Sequence, residues 1–215
     1  MAQRTEIVTQ PTVEPITLDE AKLHLRVSIT DDDALITSLI KAARSVCEAR
    51  LRRAICTQTI DCYYDNFPWG GGYYNRMIRQ AGPSPYWLPT STGIMDLPRP
   101  PVQSVTGVYY LDYNGTYQAI DPTLYTYSVG TPGRLQPVFG KVWPIARPTI
   151  DAVRIRMIVG YGDASAVPDA IKAAMKLMIG TWYENREDVN IGNIASVIPN
   201  TADLLLSTED WGGYA

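Results

Sequence analysis

At 215 residues with 46% hydrophobic content the chain can bury a real core, and no apolar run approaches the ~20 residues that a membrane helix needs. Nineteen basic and 22 acidic residues give a net charge of −3, which argues against a protein that grips nucleic acid through its overall field. The three cysteines, Cys47, Cys56 and Cys62, are an odd set without a C-x-x-C pair and point to buried thiols, away from disulfides and zinc.

The start, MAQRTEIVTQP, lacks the apolar centre of a signal peptide, so synthesis in the cytoplasm is expected. Residues 1–15 read as an extended arm, because Pro11 and Pro15 break any helix and no apolar period is visible. Thr17-Leu18-Asp19-Glu20 is a capping-box pattern and opens a short helix that runs to about Leu25. Thr30 or Asp31 then caps a longer helix, with Asp31 to Asp33 at the end where the helix dipole favours negative charge. Ile36, Ile40, Ala43, Cys47, Leu51 and Ala54 form its apolar stripe. On the other side, Arg44, Glu48 and Arg52 read as a solvated, ion-paired face, in preference to a phosphate patch made with Arg50 and Arg53.

From about Cys56 the period becomes alternating, which predicts a half-buried strand through Tyr64. The stretch 67–92 has no sustained period, three consecutive glycines and several prolines, and is too long for an ordinary connection. Its Trp69, Tyr73, Tyr74, Tyr86 and Trp87 mark it as a candidate interface loop, consistent with 14 Tyr and 5 Trp against only 2 Phe in the chain. Strand signals follow at Gly93–Leu97, Val102–Leu111, Thr116–Ile120, Tyr125–Val129, Arg134–Pro137 and Ala152–Tyr161. Asn114-Gly115 predicts a tight hairpin turn. Pro168 and Asp169 then open a helix whose apolar face is Ile171, Ala174, Met175, Met178 and Trp182. Residues 189–215 read as an extended tail whose Leu204, Leu205, Leu206, Trp211 and Tyr214 are candidate anchors on a partner.

Neither helical stripe can be buried alone, so the helical ends must meet. The expected fold is α+β: a small helical bundle from 16–55 and 166–188, with an antiparallel β-rich subdomain inserted over 56–165. Converging catalytic groups are not apparent. His24 is the sole histidine, Asp31 to Asp33 lack calcium-loop spacing, and Gly70 to Gly72 lack the lysine and hydroxyl of a phosphate loop. No enzyme activity, metal or cofactor is expected.

Three stretches in order resemble the head-tail connector, or adaptor, proteins of long-tailed double-stranded DNA bacteriophages and gene transfer agents. They are EPITLDEAKLHLRV with DDDALITSLIKAARSVCEARLRRAI; PPVQSVTGVYYLDYNGTYQAIDPTLYTYSV with Val142 to Pro144; and VGYGDASAVPDAIKAAMKLMIGTWYENRE. The resemblance implies a structural virion protein in the neck, forming a ring, expected to be twelve-fold, between portal and tail. Its implied partners are the portal protein, neighbouring copies, the next neck or tail protein, and packaged DNA passing through non-specifically, with no membrane. The alternatives are another neck or tail component, such as a stopper or tail-completion protein, and after it a catalytic β domain carried by helices. Lys172 and Lys176 are candidate channel residues, and the leucine and aromatic anchors of the tail are assigned to the portal.

Overall fold

The computed structural model describes residues 4–68, 93–185 and 200–210. They divide into a helical unit, drawn from Pro11–Thr57 and Tyr161–Ala215, and a β unit, drawn from Met1–Gln10 and Gln58–Gly160.

In the helical unit, α1 (Leu18–Leu25) begins with the expected capping box: the Thr17 hydroxyl accepts from the Glu20 amide at 3.2 Å while the Glu20 carboxylate accepts from the Thr17 amide at 2.9 Å. For α2 (Asp33–Leu51) the cap differs from the expectation. Asp32 holds the N-cap position without a side-chain capping bond, and the Thr30 carbonyl, not its hydroxyl, accepts from the Asp33 amide at 3.1 Å. The aspartates tie helices together: Asp33 takes Lys22 at 2.6 Å, and Asp32 accepts from the hydroxyl of Tyr183 on α3 (Asp169–Glu184).

Ile36, Ile40, Ala43 and Cys47 of α2 share one core with Ile171, Ala174, Met175, Met178 and Ile179 of α3, and Trp182 packs half-buried against it. Each fully buried isoleucine or methionine contributes about 1.5–3 kcal/mol relative to exposure. Two expectations are corrected here. Within the presumed extended tail, Asn200–Glu209 is a helix, α4, that inserts Ala202 and Leu206 into this core. The supposed solvated face is also internal over most of its length, for Arg44 and Glu48 are buried while Arg52 stays exposed. Arg44 bridges Glu14 at 2.8 Å and Glu48 at 3.1 Å, while the other Glu48 oxygen accepts from the Ile55 amide at 2.9 Å. The i,i+4 spacing was legible, but Glu14 lies 30 residues from Arg44, and Ile55 meets Glu48 only because the chain turns back after the helix ends.

The β unit holds a five-stranded antiparallel sheet in the order β1 (Arg4–Thr9), β2 (Gln58–Tyr64), β8 (Val153–Val159), β4 (Val102–Leu111), β5 (Tyr117–Ala119). A second sheet runs β3 (Met95–Leu97), β7 (Gly133–Pro137), β6 (Tyr125–Ser128). All six strands expected after residue 92 are present: Val102–Leu111 as expected, Gly133–Pro137 one residue longer, and the other four with trimmed ends. The N-terminal arm is an edge strand paired with β2 from Arg4↔Tyr63 to Thr9↔Thr59, since Thr5, Ile7, Val8 and Thr9 favour extended backbone. Pairing on both edges makes β2 an internal, largely buried strand where a half-buried one was expected. The Asn114-Gly115 turn is wider than a two-residue hairpin: only Gly115 has positive φ (85°), and the Asp112 carboxylate accepts from the amides of Asn114 and Thr116, each at 2.9 Å.

Candidate interaction surfaces

The described residues include no group of three or more His, Cys, Asp or Glu placed to hold a metal, and no helix long and apolar enough to cross a membrane. Burial pushes the Cys47 and Cys56 thiols up to about 12 and raises Cys62 as well, so none is a nucleophile near neutral pH. His24 lies on the exposed side of α1. What the described residues present is surface for contact, and three regions are built for it.

The first is the β7–β8 connection, residues 138–152, which is long for a compact domain. Its base is rigid. Trp143 stacks on Phe67 with centroids 4.6 Å apart and planes at 9°, and its indole N–H donates to the Gly93 carbonyl at 2.8 Å. Gly93 has φ 66°, and a Cβ there would lie 3.3 Å from the Trp143 indole nitrogen, so glycine is what permits the approach. The Arg147 amide donates to the Leu111 carbonyl at 2.9 Å. From this frame Phe139 is fully exposed, Val142 is 88% exposed and Ile150 80% exposed. Sequence reasoning noted the Val142-Trp143-Pro144 triplet but missed this surface. The available signal was a run of apolar residues between two strands with neither a helical nor an alternating period.

The second region is the polar face of the five-stranded sheet. Arg4, Tyr63, Arg154 and Tyr109 stand opposite one another across four strands. Their guanidiniums lie over rings, Arg4 4.0 Å from the Tyr63 centroid and Arg154 4.4 Å from that of Tyr109 and 5.1 Å from that of Tyr117. One step along, Arg156 makes two 2.8 Å bonds to the buried Asp61 carboxylate, and these raise the arginine further above its usual range.

The third is α4. Its expected partner anchors separate: Leu206 is buried in the helical core, Leu205 is half-buried against it, and Leu204 is 67% exposed. Arg50 clasps the helix through Asp203 at 2.8 Å and Asp210 at 3.1 Å. Trp211 and Tyr214 lie outside the described residues, as do Trp69, Tyr73, Tyr74, Tyr86 and Trp87. Lys172 and Lys176 are half-buried on α3. Lys176 sits 4.0 Å from Glu20, whose carboxyl is held below its usual range first by the Thr17 amide and further by both lysines.

Residues 15–91 match the family model of phage gp6-like head-tail connector proteins. None of the curated proteins is similar enough in sequence to match. Solved structures match over nearly the full length. A chain in the neck of an empty gene transfer agent particle, computed with C6 symmetry, has a TM-score of 0.71 at 20% identity, covering 96% of this chain and 94% of that one. A chain of the native gene transfer agent virion gives 0.70 at 20% identity, and one in the native neck computed with C12 symmetry gives 0.68 at 21%, each with the same coverage. The fold is thus that of these neck chains, and the resemblance read from the sequence holds.

Proposed function

We propose that this chain is a head-tail connector: copies assemble as a ring in the neck of a phage-like particle, between portal and tail, where they extend the DNA channel and help retain packaged DNA. The observation that carries the reading is the coincidence of two independent likenesses, the connector-family match over residues 15–91 and a fold shared with neck chains across 96% of the sequence.

The surfaces support a scaffold role. They offer Tyr, Trp, Arg and aliphatic contact area, the composition of protein interfaces, and the described residues bring no catalytic constellation together. A ring of chains each carrying −3 has little net attraction for a passing duplex, which suits a conduit, because every neutralised phosphate tightens binding. Lys172 and Lys176 remain the proposed channel residues, with a weak grip since Glu20 already answers part of their charge. Leu204 and Leu205, with Trp211 and Tyr214, remain the proposed portal contacts; the burial of Leu206 takes it out of that set and makes it a residue that holds α4 in place.

The test is to delete the gene in the producing strain. DNA-filled heads without attached tails, restored by the gene in trans, are the expected result; tailed particles at normal yield would contradict the reading.

A further inference from the structure

The loop of residues 138–152 has a chemistry that the connector reading leaves unused. We propose that it is the donor side of a head-to-tail contact, seated on the helical unit of a second copy of this chain. The inference rests on the ring reading above and adds which surfaces meet.

Its exposed apolar side chains carry the first part. Phe139, Val142, Ile145 and Ile150 together present several hundred Å² within one loop, on the order of the largest patch found on a typical monomer and usually a functional one. A loop held by the Trp143 stack and by backbone bonds at both Val138 and Arg147 is ordered before contact, so little ordering cost opposes docking.

Charge selects the occupant. The loop carries Lys141 and Arg147 and one acidic residue, Asp151 at its end, which is already paired with Arg4 at 3.1 Å. Among the described residues, the β unit holds seven basic and seven acidic residues, net zero, while the helical unit holds nine basic and thirteen acidic, net −4. The acidic excess of the described residues therefore lies in the helical unit, and the surface in hand that complements a basic apolar loop is the helical unit of another copy. That unit exposes Leu23 and Ile29 together with Asp19 and Asp31, apolar area with acidic company. A contact between two unlike surfaces of identical chains is heterologous, and it repeats from copy to copy until a ring closes.

The experiment places a photo-activatable cross-linking residue at position 139 in the full-length chain assembled into necks, with position 114, at the tip of the β4–β5 hairpin, as the control. The expected product is a dimer of this chain, at least about fivefold more abundant than from position 114, with the cross-linked peptide inside residues 11–57 or 161–210. Cross-links to a different neck protein, or to the β unit of a neighbour, in particles that still show rings would overturn this inference and leave the ring reading intact. A chain that never enters necks would overturn both. The charge arm is independent: Lys141→Glu with Arg147→Glu should weaken neighbour cross-linking about tenfold at unchanged thermal stability, and unchanged cross-linking would contradict the role given to charge.

Discussion

Single residues show where sequence spacing misleads and where it serves. Asp61 and Arg156 form one bidentate pair, but their exposures differ: the Asp61 side chain is 4% exposed and that of Arg156 35%. Removing the arginine leaves a buried carboxylate without its counter-charge, whereas removing the aspartate leaves a guanidinium able to reach water. Arg156→Leu should therefore cost about 3 kcal/mol in denaturant unfolding and Asp61→Leu clearly less; equal losses would show that the pair is not asymmetric. Glu48 is read in the same way, since replacing it takes the acceptor from the buried Ile55 amide and leaves Arg44 to its pair with Glu14. Asp112 gives a pH test. Its carboxyl is held below the usual range by the Thr116 amide first, then by Gln118 and further amides of the turn. The stability it adds is present above its unfolded pKa of about 3.9 and lost as pH falls through the lower folded value. The gap in urea midpoint between wild type and Asp112→Ala should be open near neutral pH and narrow progressively as pH falls below about 3.9; a gap independent of pH would contradict this.

At the scale of elements, the capping box at Thr17, the stripes of α2 and α3 and the strands after residue 92 were legible because each is set by local chemistry or a short period. The elements that were missed are set by remote partners. β1 is extended chain until β2 offers an edge, and α4 is too short to be a helix alone until Ala202 and Leu206 find the core made by α2 and α3. The candidate anchors suffered from the same blindness, because Leu204, Leu205 and Leu206 are equivalent in sequence and become distinct only when one helical face is covered. Leu206→Ala should cost about 2–5 kcal/mol, while Leu204→Ala should change stability by no more than about 0.5 kcal/mol. Truncation at residue 199 should likewise lower the thermal midpoint, so a test of portal docking must use Leu204 substitutions in a folded chain. Equal effects of the two leucine substitutions would mean that α4 is not docked as described.

For the whole molecule, the division into an acid-rich helical unit and a charge-balanced β unit is the property that sequence composition conceals, since among the described residues the acidic excess lies in the helical unit alone. Polarity of this kind suits a chain that meets copies of itself through unlike faces, and the exposed loop between β7 and β8 provides one of them. Neck association should consequently weaken as salt rises, at constant fold, over the range in which surface charges become screened. The central claim, that the chain is a ring-forming connector, is tested most directly by imaging intact particles in which this chain carries a small density label. The account predicts label density as a closed ring between portal and tail; label confined to the tail tube, the capsid shell or a single copy per particle would contradict it.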